Sequence, residues 1–298
     1  MSARALVEEL VDANRILYDQ GVVDGFGHVS VRDGARPDRF LLARSMAPAL
    51  VDAADILAFD LDGNVLGGDR RPPYLERFIH GEIYRARADV MAVVHNHSPC
   101  VIPFGVASGA PLRPICHMSG FLHPEAPVFE IRSAAGPASD MLIRDRSLGA
   151  ALARSLGERA VVLMRGHGAT VVGANLRQAV FRAVYTEVNA RLQSEALRLG
   201  AVTFLNAEEA ANAAAMNDKV ATIERGERRA RGEAAVAVGG DVIDRPAAEQ
   251  AVRAAGLDDS GDAAAGLGRG AEHEQTGAAG GFHPAIMLAA RDHAVKRG

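Results

Sequence analysis

The chain has 298 residues, 48% of them hydrophobic, which is enough to bury a large core. Its formal net charge of −4, with Lys and Arg scattered among Asp and Glu, supplies no basic stripe for phosphate backbones, so nucleic acid is not an expected partner. Two cysteines, Cys100 and Cys116, are too few for a disulfide scaffold. The N-terminus is broken by charges where a signal would be apolar, and no run approaches the ~20 residues that cross a bilayer, so a cytoplasmic protein without membrane insertion is expected.

Residues 4–20 place Leu6, Leu10, Ala13 and Leu17 at helical spacing and end at Gly21, which suits a left-handed cap. The segments HVSVR (28–32), RFLLAR (39–44) and LAFDLDGNVLGG (57–68) are short, rich in Val, Leu and Phe, and punctuated by Gly and Asp-Gly, so they predict antiparallel strands and hairpins. After Pro72-Pro73, ERFIHGEIYRAR (76–87) predicts a helix, and VMAVVHNH (90–97) a buried strand. A further strand, AVVLM (160–164), stops at RGHG. Asn175, with Gln178 three residues on, caps a long helix that runs to Gly200.

The order is mixed, without regular βαβ alternation, and predicts an α/β fold whose mixed or antiparallel sheet is covered by helices. Beyond about residue 225, Ala and Gly dominate and Phe282 is the only aromatic residue. The expected organisation is a domain over 1–205 and an Ala/Gly-rich tail over 206–298, partly or wholly disordered.

Three of the ten histidines stand out by context. His95 and His97 end a strand, and side chains two apart on a strand share a face. His167 lies between Gly166 and Gly168, whose freedom permits a tight turn toward the same point. Three imidazoles with an open coordination position describe a catalytic metal site rather than a closed structural one. Nitrogen ligands suit Zn²⁺ or Mn²⁺ first, and Fe²⁺ or Co²⁺ as well. An isolated His-x-His pair is equally compatible with hydrogen-bonded core histidines, so the surrounding pattern matters.

That pattern, GFGHVSVR (25–32), PPYLERFIHGEIYRARADVMAVVHNHSP (72–99) and VVLMRGHGATVVGANLRQA (161–179), resembles the class II aldolase/adducin family over roughly residues 4–205. The resemblance implies a three-layer α/β/α fold with a central, largely antiparallel sheet, and a homo-oligomer, commonly a tetramer. It implies a divalent metal on His95, His97 and His167. It also implies that Glu76, in the family's Pro-x-x-Glu pattern, is an acid/base group that touches the metal. A carboxylate beside a cation can move a proton near neutral pH, whereas a purely structural Glu76 would only favour a helix dipole. His80, one turn later, is expected to be supporting or structural.

Departures from the family's phosphosugar members narrow the activity. Where those show Gly-Asn-x-Ser and Pro-Ser-Ser-Glu, this chain has Gly27-His28-Val29-Ser30 and Pro73-Tyr74-Leu75-Glu76. Losing two hydroxyls would leave a dianionic phosphate short of donors, so a flatter carboxylated substrate is expected, met by Arg44, Ser45 and His28. Together, LARSMAP, ICHMSGF (115–121) and MRGHGATVVG are most similar to the family's decarboxylase branch. The expected reaction is metal-dependent decarboxylation of a 3,4-dihydroxyphthalate-type catechol or a carboxymuconic semialdehyde in aromatic catabolism. Glu76, His117, Tyr185 and metal-bound water are the candidate proton donors. The alternatives are an aldolase acting on a non-phosphorylated 2-oxo acid or hydroxyaldehyde, and an adducin-like interaction module without chemistry.

Overall fold

A computed structural model describes residues 3–231, with side chains through residue 219; the expected tail beyond 231 lies outside the described residues. The helices are α1 (Ala3–Asp19), α2 (Phe78–Ala86), α3 (Ile102–Val106), α4 (Arg132–Ala135), α5 (Arg146–Leu156), α6 (Leu176–Leu199) and α7 (Ala207–Arg231). The strands are β1 (His28–Arg32), β2 (Arg39–Ala43), β3 (Ile56–Asp60), β4 (Ala92–Asn96), β5 (Val128–Phe129), β6 (Val161–Met164) and β7 (Gly168–Gly173). Among the described residues no helix is long and apolar enough to cross a membrane.

The strands form one seven-stranded sheet in the order β3-β2-β1-β4-β7-β6-β5, antiparallel throughout except for the β5–β6 pair. Every residue of β1, β4, β6 and β7 is buried, because helices cover both faces and alternate side chains enter two separate cores. On one face Val29, Val31, Ala92, Val94, Leu163 and Val171 pack with Leu10 and Leu17 of α1 and Val180 and Val184 of α6. On the other, Phe40, Leu42, Phe59, Val93, Val162 and Val172 pack with Ile79 and Ile83 of α2 and Leu152 and Leu156 of α5. The expected three-layer α/β/α architecture is therefore the observed one.

Local signals explain the helix starts. Asn175 caps α6 by accepting from Gln178 N at 2.9 Å, and Asp145 caps α5 by accepting from Leu148 N at 3.0 Å, contacts worth about 1 kcal/mol each. At the start of α7, Asn206 and Glu209 form a reciprocal capping box at 2.9 Å in both directions.

The segment after 205 begins with ordered helix. Ala210 of α7 is buried, and a Cβ added to Gly120 would lie 2.4 Å from the Ala210 carbonyl oxygen. Asn217 Nδ2 donates to His117 O at 2.9 Å, and Gln178 Nε2 donates to Asp218 Oδ1 at 2.6 Å. Small residues there allow close backbone approach. Composition, read as poor burial capacity, does not carry that information.

Candidate metal centre

The pairing of β4 with β1 and β7 builds the floor of the site. His95 sits opposite His28 on one side and Thr170 on the other, and His97 follows immediately after the strand. His167 is carried by the turn between β6 and β7. Two glycines make this turn possible for different reasons. Gly166 takes φ +65°, a left-handed conformation, whereas Gly168 admits a close approach: a Cβ there would stand 1.9 Å from the Asn96 carbonyl oxygen. Glu76 comes from the 3-10 turn Leu75–Arg77 that leads into α2.

Each of these three histidines has its Nδ1 directed to an oxygen: His95 to Ala169 O at 3.2 Å, His97 to Asp24 Oδ2 at 3.2 Å, and His167 to Met141 O at 2.9 Å. An N–H must sit on the nitrogen facing a carbonyl or carboxylate, so in the neutral rings Nε2 is left bare. Those nitrogens converge. His97 Nε2 and His167 Nε2 are 3.1 Å apart, and Glu76 Oε2 lies 3.5 Å from Nε2 of both His95 and His167. The four ligand atoms all fall within 4.8 Å of one another.

His95 Nε2 is fully buried without a hydrogen-bond partner, an arrangement that protein groups alone leave unfavourable. Three imidazole nitrogens and one carboxylate oxygen are a donor set for a divalent transition metal, and the orphaned nitrogen fits such an ion.

The electrostatics agree with that geometry. Burial alone would raise the Glu76 pKa, but the His167 and His95 rings beside its Oε2 outweigh burial and hold the carboxyl well below its usual range. Burial lowers His95, whereas for His167 the nearby Glu76 carboxylate prevails over burial and raises the ring above its ordinary value. Asp24 is likewise held low, burial being outweighed by its hydrogen bond to His97.

A cleft of about 590 Å³ opens above these groups, lined by Phe26, His28, Ser45, Tyr74, Leu75, Glu76, His97, Asp140, Met141, Leu142, Gly166 and His167. Two of the expected substrate-contacting residues, His28 and Ser45, therefore face it. Arg44 is not among the lining residues; its Nε donates to Asp55 Oδ1 at 2.8 Å. His117 and Tyr185 also lie outside the lining; Tyr185 packs its ring 4.6 Å from Phe181. His80 is fully buried and bonds to His28 and Ser30.

Sequence reasoning misses three positioning groups. Asp24 orients His97 while its other oxygen accepts from Phe26 N at 2.8 Å and Gly27 N at 3.1 Å, and the Asp-Gly-Phe-Gly order was the available signal. The other two are backbone groups without a residue signature: Met141 O, and Ile143 N, which donates to Glu76 Oε1 at 2.8 Å. Met141 itself is the one non-glycine residue with positive φ among the described residues, at 70°.

The fold and this site define a class, and comparison with known proteins agrees. The chain belongs to the Class II Aldolase and Adducin N-terminal domain family, whose sequence profile matches residues 8–194. Decarboxylase tropJ of Talaromyces stipitatus is 38% identical over 207 residues, covering 65% of this chain and 77% of that protein. The 3,4-dihydroxyphthalate decarboxylase of Arthrobacter keyseri is 35% identical over 209 residues, covering 65% of this chain and 79% of that protein. A solved L-fuculose 1-phosphate aldolase shares the fold with a TM-score of 0.61 at 22% identity, over 74% of this chain and 98% of that one.

Proposed function

We propose that this protein is a lyase that decarboxylates a carboxylated catechol or enol, of the 3,4-dihydroxyphthalate or carboxymuconic semialdehyde type, with a divalent metal held by Glu76, His95, His97 and His167. The observation that carries the reading is the convergence of these four ligand atoms within 4.8 Å beneath a cleft walled by Tyr74, Leu75, Met141 and Leu142. The decarboxylases among its relatives support the reaction type. A small carboxylated substrate, a cytoplasmic setting and a homo-oligomer, as a tetramer, belong to the same proposal.

The walls favour a flat ring over a phosphosugar. The Tyr74 hydroxyl donates to the Met46 carbonyl, and burial raises its pKa to about 12, so the residue offers the cleft a ring face instead of a free donor. Leu75 offers no donor at all. Each phosphate oxygen left without a partner in such a pocket would cost about 1–3 kcal/mol or more.

When bound, the metal supplies Lewis-acid stabilisation of the charge that develops on the substrate's enol or phenol oxygen as carbon dioxide leaves. The chain's own groups divide the remaining work. Glu76 Oε1 is tied to the Ile143 N–H and Oε2 faces the three imidazoles, so Glu76 would carry the proton that replaces carbon dioxide only when Oε2 is exchanged for a substrate oxygen at the centre. Leu75, Met141 and Leu142 exclude water around it. Ser45 and His28 meet the carboxylate of the substrate, the role they were expected to share with Arg44.

The test is to incubate zinc- or manganese-loaded protein with 3,4-dihydroxyphthalate and follow carbon dioxide and protocatechuate. Metal-dependent release that is lost in the His95→Ala, His97→Ala double variant is the expected result. Cleavage of a 2-oxo acid or hydroxyaldehyde into two carbon fragments, with no carbon dioxide from either carboxylated substrate class, would replace this reading with the aldolase one.

A further inference from the structure

Behind the cleft wall runs a chain of hydrogen bonds that the metal centre does not use. His28 Nδ1 faces His80 Nε2 at 2.6 Å, His80 Nδ1 faces Ser30 Oγ at 2.6 Å, and Ser30 Oγ faces the Tyr84 hydroxyl at 2.7 Å. All four residues are buried, with His80 and Ser30 at 0% exposure, so water does not interrupt the series. The His28 ring also packs at a tilt between two others, its centroid 4.5 Å from that of Tyr74 and 5.0 Å from that of His95.

Each of these short links holds one proton, because two hydrogens cannot occupy the same gap. The direction of the whole series is therefore decided at one end. Among the described residues Ser30 Oγ is the hydrogen-bond partner of the Tyr84 hydroxyl, and so the acceptor available to its phenolic proton. Tyr84 thus donates to Ser30, Ser30 donates to His80 Nδ1, and His80 donates from Nε2 to His28 Nδ1. In this arrangement His28 carries its proton on Nε2, the ring nitrogen left for the cleft. Reversing the series would leave the Tyr84 proton without an acceptor in a dry core, which disfavours the alternative by ~10-fold or more.

The geometry points to His28 as a fixed Nε2–H donor for an acceptor-only substrate oxygen, an ionised carboxylate or a phenolate, with Tyr84, Ser30 and His80 as the positioning residues that set its tautomer. The inference rests on the proposed function for the identity of the substrate, but the tautomer itself does not depend on that reading. It narrows the ligand class, since a substrate group that presents only a donor to this position would meet a second donor.

The experiment uses full-length, zinc-loaded protein labelled with ¹⁵N-histidine. Long-range ¹H–¹⁵N spectra identify ring tautomers, and His28→Gln assigns the His28 signals by their loss. The expected result is an Nε2–H tautomer for both His28 and His80, and a shift of the His28 signals on adding protocatechuate. In Tyr84→Phe, with Ser30→Ala as the second variant should the first not fold, both tautomers become populated. KM for 3,4-dihydroxyphthalate then rises ~10-fold while kcat stays within about twofold.

An Nδ1–H tautomer for His28 in the unaltered protein, or tautomers unchanged in the variants, overturns the inference. Absence of any turnover, together with the Nε2–H tautomer and a protocatechuate-induced shift, supports the inference while refuting the proposed reaction.

Discussion

Five histidines crowd one end of the central strands, and they fall into two groups that treat their ring nitrogens in opposite ways. His95, His97 and His167 direct Nδ1 outward to oxygens and leave Nε2 facing a common centre. His28 and His80 instead bond to each other and to Ser30. The two groups are adjacent, with the His28 and His95 rings 5.0 Å apart, so neither burial nor neighbourhood separates them. What separates them is where the partner oxygens lie. A histidine becomes a ligand when something behind it fixes its proton on the far nitrogen.

Several measurements would break or sharpen that contrast. The largest effect is expected for His95→Ala, His97→Ala, which removes two of four ligands: bound metal should fall from about one equivalent to under ~0.1 by elemental analysis. A double variant that retains stoichiometric metal would show that the converging nitrogens are not the binding site. Glu76→Gln should keep its metal yet slow turnover by ~100-fold or more, and unchanged turnover would remove Glu76 from proton transfer. Asp24→Asn alters only the orienting partner of His97. It should weaken metal affinity by ~10–100-fold in a chelator competition and leave the His28 and His80 tautomers as they are.

The smallest effect concerns the hydrogen-bonded group. Burial, reinforced by the neighbouring His95 and opposed by Glu76, lowers the His80 pKa from 6.5 to about 3. Between those values the unfolded chain binds a proton that the folded protein refuses, so this contribution to stability is present above pH 6.5. It falls away as pH drops toward 3, at up to about 1.4 kcal/mol per pH unit. Urea midpoints measured at pH 7, 6 and 5 should therefore decline less steeply in His80→Gln than in the unaltered protein. Parallel slopes would mean that His80 does not stay neutral in the fold.

The contrast also marks what was legible in the sequence. The alternation of His95 and His97, and the Gly-flanked His167, mark the three rings that converge, because strand periodicity and turn chemistry are local. The sheet was legible for the same reason at β1 to β4 and β6. The strand Gly168–Gly173 and the helix Arg146–Leu156 were not separated from their surroundings. The Asp55 carboxylate that accepts from Arg44 Nε is brought close by folding rather than by spacing. Asp24 lies 73 residues from the ring it orients. Ile143 N and Met141 O are backbone atoms that any residue could supply. The helix Ala207–Arg231 was hidden by its alanines, which signal little buried area while permitting the tight seam at Gly120.

One short stretch on the rim of the cleft carries a consequence for how the centre comes apart. Met141, held at φ 70°, gives its carbonyl to His167, and two residues later the Ile143 N–H grips Glu76. Both ligands are thus fastened by the same few peptide units. Peeling this segment away would release them together, so a centre with one of the two loosened and the other still fastened has no support in the chain. Were a metal held by both groups, its loss to a chelator and the loosening of this rim would be expected to proceed at one shared rate.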